Sequence, residues 1–274
     1  MVIERRFETV WEVPDVLWEQ IEPVLLEADP PNPRGRPRAD ARRALDGIIF
    51  RLRSGCQWNR LPKEFGDDST IHRTFQRWVD RGVFTRIWAL LVQKCEDLGE
   101  VQWRWQSADA AMGKARLGGG HIGPNPTDRG KAGSKRSILV DGDGGPLSAV
   151  VGADNVNDFK LLGATLESIV TKRPRCSQHL CLDKGYDNPV GREVTAAHGY
   201  IPHTRRIREE KLDKAGRKVL PARRWVVERT FAWLSKCRSI LVRYEKKAVN
   251  YLGLVHLACA LLWFRRQQRM NFLR

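Results

Sequence analysis

His179-Leu180-Cys181-Leu182-Asp183-Lys184-Gly185-Tyr186 decides the fold of the 274-residue chain. A short strand-like run ends in an aspartate, and a glycine turn follows at once. An aspartate in that place projects beside a sheet rather than into its core. Residues 103–109 read the same way, a strand-like run ending at Asp109. Residues 137–140 and 147–151 add two more short runs, separated by the glycine-rich turn from Gly142 to Gly145. Helical patterns follow at about 158–170, 189–198, 221–236 and 250–268. Strands first, then strands alternating with helices, predict an α/β domain with a mixed sheet and flanking helices.

Before residue 100 the texture is different. Asp40 is placed to cap a helix that runs to Ser54, with Ala44, Leu45, Ile48, Ile49 and Leu52 at helical spacing and Gly55 as its stop. Residues 56–66 predict a short second helix and a turn. Asp68 or Ser69 caps a third helix ending at Gly82. Its apolar stripe is Ile71, Phe75, Trp78 and Val79, and its other face carries Thr70, His72, Arg73, Gln76 and Arg77. A fourth helix covers 84–98. Short helices, glycine turns and one Arg/Gln/Thr face fit a helix-turn-helix, and equally a plain helical bundle with a solvated face. The domain boundary is expected near residue 100, giving an all-α domain over 1–100 and an α/β domain with basic C-terminal helices over 101–274. Between Pro30 and Arg38 the chain is rich in Pro, Gly and Arg and must be a loop. Arg34, Arg36 and Arg38 make it either an ordinary linker or a basic arm of the kind that lies along a DNA groove.

Charge sharpens this division. The chain holds 48 Lys and Arg against 32 Asp and Glu, a net charge of +16. Residues 1–100 hold 16 basic and 17 acidic side chains, residues 101–200 hold 13 and 10, and residues 201–274 hold 19 and 5. A uniform solubility bias would not leave the first hundred residues neutral. The excess points to a polyanion docking on the last quarter, Arg205 and Arg206 included. The composition, 42% hydrophobic and 29% charged, excludes a mainly disordered chain. The six cysteines form no CxxC pair, and no histidine pair has zinc spacing, so a reduced, cytoplasmic protein without a structural metal is expected. The longest apolar run, from Tyr251 to Phe264, is interrupted by His256 and is shorter than the ~18 residues of a membrane span. It predicts a buried helix, and no signal peptide opens the chain.

Three carboxylates sit where chemistry would use them. Asp109 and Asp183 close strand-like runs. Glu228 lies in the helical stretch Arg223-Arg224-Trp225-Val226-Val227-Glu228-Arg229-Thr230-Phe231-Ala232-Trp233-Leu234, where Trp225 shares its face and suggests that the carboxylate borders the packed side. Phosphodiester cleavage without a covalent enzyme intermediate uses two divalent cations, one at the attacking oxygen and one at the leaving oxygen. Hard cations of this kind take carboxylate oxygens and keep waters, so two aspartates and a glutamate suffice. Each residue also has a plain structural reading, as a turn aspartate or a helix ion pair.

The arrangement as a whole is familiar. Asn125-Pro126-Thr127-Asp128-Arg129-Gly130-Lys131-Ala132-Gly133-Ser134-Lys135, then Asp183-Lys184-Gly185-Tyr186-Asp187, then Val226-Val227-Glu228-Arg229-Thr230-Phe231-Ala232-Trp233-Leu234, then Arg243-Tyr244-Glu245-Lys246, resembles the bacterial transposases of the insertion sequence five family. The stretch from Leu52 to Pro62 resembles the helical domain preceding the catalytic domain in that family. The resemblance covers about 14–268. It implies a ribonuclease-H-like catalytic domain with Asp109, Asp183 and Glu228 as the three acids, holding two magnesium or manganese ions. It also implies double-stranded DNA as partner, both the terminal inverted repeats of a mobile element and the target. At least a homodimer would then hold two ends in a bacterial, nucleoid-associated setting, with no membrane and no small-molecule substrate. The separations of 74 residues and 45 residues leave no room for a large domain inserted before Glu228.

Two departures touch accessory positions. Ala110 stands where the family often has a hydroxyl residue. In the signature of the related insertion sequence four group, Arg224 matches the arginine, but Pro221 and Ser235 replace the tyrosine and lysine, with Lys236 one residue late. The glycine-rich basic loop 118–135 reads as a DNA contact through Arg129, Lys131 and Lys135, or as a plain hairpin. A non-catalytic DNA-binding derivative and a nuclease of the same fold are the rival readings. The first would have lost an acid, and strand transfer separates the second.

Overall fold

The computed structural model describes residues 10–31, 33–35, 37–204 and 225–271. The chain divides into two compact units, Met1–Leu98 with Ser235–Arg274, and Gly99–Leu234. The division near residue 100 therefore has a second boundary that the sequence did not reveal. The C-terminal helices expected on the α/β domain pack with the N-terminal helices instead.

In the helical unit, α1 (Asp15–Ala28) buries Leu17, Ile21 and Leu25, one side of a helix at four-residue steps. In α2 (Ala41–Ser54) the Asp40 side chain accepts the Arg43 N–H at 2.7 Å, and Gly55 ends the helix at φ 69°. Two single 3-10 turns occupy the expected second helix, Trp58–Arg60 and Lys63–Phe65. The cap of α3 (Asp68–Asp80) is Asp67, one residue earlier than expected, accepting from the Thr70 N–H. The short, two-residue junction lies between α3 and α4 (Val83–Asp97), whereas residues 55–67 separate α2 from α3. After the four-residue α8 (Arg238–Leu241) comes α9 (Ala248–Asn271).

This last helix is long and apolar enough to cross a membrane by length and composition, but 67% of its apolar window is buried. It packs against α4, as the interrupted run 251–264 predicts. Trp88, Trp263 and Phe84 are fully buried. Each such side chain contributes roughly 1.5–3 kcal/mol by leaving water. Gly253 permits the close approach to α3, since a Cβ there would lie 2.6 Å from Val79 Cγ2.

The second unit is built on a sheet of β1 (Trp105–Lys114), β2 (Gly123–Pro124), β3 (Ala132–Val140), β4 (Pro146–Ala153), β5 (Gln178–Leu182) and β6 (Tyr200–Thr204). β3 pairs antiparallel with β1, β2 and β4. β5 runs parallel to β1, and β6 parallel to β5, giving the order β3-β1-β5-β6 with β4 beyond β3. Parallel neighbours need helical crossovers. These are α5 (Asp158–Glu167), which packs on β3 and β4, and α6 (Pro189–Ala197), which precedes β6. α7 (Trp225–Ser235) closes the unit. The mixed sheet with flanking helices is the expected fold.

Candidate active site

The register of the parallel pair builds the site. Trp105 lies opposite His179 and Ser107 opposite Cys181. The ladder ends at that pair, and Asp109 and Asp183 each stand two residues further along, where a continued register would set them opposite each other on the same face. Asp109 does not end its strand, as the sequence reading had it. β1 continues to Lys114 alongside β3, and it is β5 that stops, at Leu182. The end of β5 leaves β1 without a parallel neighbour just where Asp109 stands. Both aspartates are half-buried. Asp109 accepts the Ala110 N–H at 2.8 Å, and Asp183 accepts the Lys184 N–H at 2.6 Å.

Asp183 caps the 3-10 turn Lys184–Tyr186, which ends at a buried tyrosine. Tyr186 is 2% exposed, and among the described residues its hydroxyl has no hydrogen-bond partner. Burial holds the phenol well above its ordinary pKa, and the charges of Asp109, Asp158 and Asp183 push the same way. The sequence motif contained this tyrosine, but nothing local could say that it is buried beside the acids.

Glu228 stands in the first turn of α7 and is exposed. It does share a face with Trp225, but that face is the outer one, Trp225 being 56% exposed. The packed side is Val226, Val227 and Thr230. Asp141 organises the turn between β3 and β4 by accepting the N–H groups of Asp143 and Gly145 at 3.0 and 2.7 Å. α7 docks on this turn. Thr230 Oγ1 donates to Gly144 O at 2.7 Å, and Arg229 donates to Asp143 O at 2.6 Å. Gly144 has φ 86°, and a Cβ there would meet Thr230 Oγ1 at 3.0 Å, so two constraints require glycine. The Arg229 guanidinium lies 4.7 and 4.8 Å from the rings of Trp225 and Trp233, a cation–aromatic stack along the helix that the sequence reading missed.

The donor chemistry suits a small hard cation, because carboxylate oxygens are the ligands such an ion takes. Asp109 and Asp183 form a pair fit for one edge of a metal site, with Glu228 separate on α7. Among the described residues, no three His, Cys, Asp or Glu side chains are gathered closely enough to hold a metal ion.

The proposed DNA contacts divide sharply. Lys135 is buried and committed, donating to Val156 O at 2.8 Å and to Asp158 at 2.5 Å. The expected contact there gives way to a structural ion pair, because residue 135 belongs to β3 and not to a loop. Arg129 and Lys131 are exposed. Lys131 pairs with Asp128 at 2.9 Å, and Arg129 sits at φ 52° in a turn organised by Asn125, whose Oδ1 accepts three hydrogen bonds from Thr127 and Asp128.

On α3, His72 is not on an open face. It stacks on Trp58 with ring centroids 4.5 Å apart, and burial holds its pKa below the ordinary value. Arg77, with Arg81 and Arg38, surrounds the Asp29 carboxylate, Arg77 at 2.9 Å and Arg81 at 2.7 Å. Arg34 and Arg73 are exposed, and Thr70 and Gln76 are half-buried. Arg38, Arg43, Arg73, Arg77 and Thr70 line a cleft of about 560 Å³ beside the arm. Lys236 is exposed after α7, and Arg36, Arg205, Arg206 and Arg224 lie outside the described residues.

A sheet of this order with flanking helices is that of a ribonuclease-H-like domain. Residues 101–263 match the family described as "Transposase DDE domain", and residues 13–88 match the "Putative transposase of IS4/5 family". The chain belongs to the DDE transposase family and is an enzyme of that class. It is similar to the "Putative transposase for insertion sequence element IS402" of Burkholderia cepacia, 34% identical over 165 residues, covering 57% of this chain and 74% of that one. A second similar chain of that organism, the "Insertion element IS402 uncharacterized 16.2 kDa protein", is 34% identical over 121 residues, covering 42% and 80%. Among solved structures, the catalytic domain of Mos1 mariner transposase overlaps with a TM-score of 0.28 at 9% identity, covering 68% of this chain and 91% of that one.

Proposed function

We propose that this transposase binds the terminal inverted repeats of an insertion sequence, cleaves the phosphodiester at the element's end, and joins the freed 3′-hydroxyl to target DNA. The placement of Asp109 and Asp183 just beyond the end of the parallel ladder carries this reading. Carboxylate oxygens are the ligands a hard divalent cation takes, and two aspartates borne by neighbouring strands can offer them together. With Glu228 they would hold two magnesium or manganese ions, which when bound activate the attacking oxygen and stabilise the leaving one.

The chain's own residues do the remaining work. The pair supplies charged oxygens at the end of a rigid ladder. Thr230 and Arg229 hold the helix that carries Glu228 against the β3–β4 turn. Arg129 and Lys131 offer exposed positive charge to phosphates.

End recognition belongs to the helical unit. The arginine-lined cleft beside α3, with the exposed Arg73, supports that assignment. Arg34 and Arg36 of the arm, and Arg205, Arg206, Arg224 and Lys236 in the C-terminal part, add charge along the DNA. Two ends held together imply a homodimer or larger assembly, working on the DNA of a bacterial cytoplasm.

The test is cleavage and strand transfer on labelled element-end DNA, in magnesium and in calcium. Calcium is larger and more loosely coordinated, so it should allow complex formation without cutting. Cutting without joining under every condition would leave a nuclease, and end binding without either would leave a DNA-binding derivative.

A further inference from the structure

Three buried tyrosines differ in what their hydroxyls meet. Tyr200 donates to Gln106 Oε1 at 2.8 Å and Tyr251 to Ile240 O at 2.8 Å. Tyr186, equally buried, donates to nothing among the described residues. A buried hydroxyl without a partner is unfavourable, and phenylalanine would fill the same space without that cost.

The position of Tyr186 is not loose. Its N–H bonds to Asp183 O at 3.0 Å, and its carbonyl accepts from Asn188 N at 2.9 Å. Gly191 of α6 comes so close that a Cβ there would lie 2.2 Å from Tyr186 O. The turn also packs against α5. The backbone of this residue is thus held from both sides, and its buried side chain feels the charges of Asp109, Asp158 and Asp183. Toward a carboxylate oxygen a phenol O–H is the donor of the pair.

We propose that Tyr186 is a positioning residue, whose O–H donates to a carboxylate oxygen of the Asp109–Asp183 pair when those acids turn to take a divalent cation. The hydroxyl then decides which oxygens face the ion, as outer hydrogen bonds do at metal sites generally. This rests on the assignment of the two aspartates as metal ligands.

The experiment measures Mn2+ binding to the full-length protein by the paramagnetic resonance of free manganese, with thermal unfolding in chelator alongside. Tyr186→Phe should weaken Mn2+ binding about tenfold, while its metal-free unfolding midpoint stays equal to or above that of the parent. Asp183→Asn is the control and should weaken Mn2+ binding more. If Asp183→Asn weakens binding and Tyr186→Phe does not, the positioning role is wrong and the active-site assignment stands. If neither weakens it, both fall together. A clearly lower metal-free midpoint for Tyr186→Phe would also overturn the proposal, because the hydroxyl would then be serving the fold.

Discussion

Glu245 in the helical unit and the aspartate pair at the end of the sheet handle carboxylate charge in opposite ways. Glu245 is 7% exposed and takes the Arg51 guanidinium at 2.7 Å and the Trp58 indole N–H at 3.2 Å. Arg51 is itself buried, lies over the Trp58 ring and donates to Ser239. Each charge there is answered by one of opposite sign. Asp109 and Asp183 stand two residues beyond the last pair of the β1–β5 ladder, and both, with Asp158, act with the same sign on Tyr186. Charge that serves packing is neutralised by the chain, while the acids we propose for the chemistry meet charge of their own sign at Tyr186.

The strongest way to break this contrast is to neutralise these acids. Asp109→Asn and Asp183→Asn should each reduce element-end cleavage by at least about 10⁴-fold, roughly 5.5 kcal/mol. The unfolding midpoint should hold, since both side chains are only half-buried. Near-normal cutting by either variant, at matched DNA occupancy, would remove that residue from the site. Glu228→Gln should abolish cleavage in the same assay with little change in stability.

In the helical unit the opposite outcome is expected. Glu245→Ala leaves Arg51 buried without its counter-charge and should cost about 3–5 kcal/mol in denaturant unfolding. Replacing both Arg51 and Glu245 by methionine should recover most of that loss. If the double variant is no better than the single one, the pair is not acting as a closed unit.

A smaller effect separates two arginines of α3. Arg73 is exposed, whereas Arg77 is engaged with Asp29. Arg73→Ala should lower discrimination between the inverted repeat and random DNA by about 1–3 kcal/mol if it reads a base. Arg77→Ala should lower stability instead. Equal losses on both DNAs would make Arg73 a phosphate contact.

The smallest expected effect is a pH dependence. Burial depresses the folded-state pKa of His72, with Glu245 opposing and Arg51 and Lys247 assisting. The folded chain therefore binds this proton less readily than the unfolded chain. Stability is fully present above the unfolded value of 6.5 and falls as the pH drops below it toward the folded value. His72→Phe should flatten that slope in thermal unfolding between neutral and mildly acidic pH, and an unaltered slope would assign it to other groups.

What could be read from the chain was whatever depends on near neighbours. The Asp40 cap and the Gly55 stop of α2 are satisfied within a single turn, so the sequence carries them openly. α1 passed unread because Pro14 and Pro23 and a dense set of acids obscure Leu17, Ile21 and Leu25. β6 was hidden by Pro202, which an edge strand tolerates and a central strand does not. Asn157 stands at the N-cap of α5 without a capping bond from its side chain, so its cap-type residue misleads a local reading.

By itself, the sequence determined which acids stand in motif positions, the alternation of strand and helix, the local caps and the basic C-terminal quarter. Only the tertiary structure decided that the strands leading to Asp109 and Asp183 are parallel neighbours, because strand register is set between segments 74 residues apart. It also decided that Lys135, Arg77 and His72 are engaged within the fold, and that the C-terminal helices pack with the N-terminal ones. A side chain's local surroundings fix its conformation, but a charge or a ring finds its partner on another element, and no short stretch of chain contains that partner.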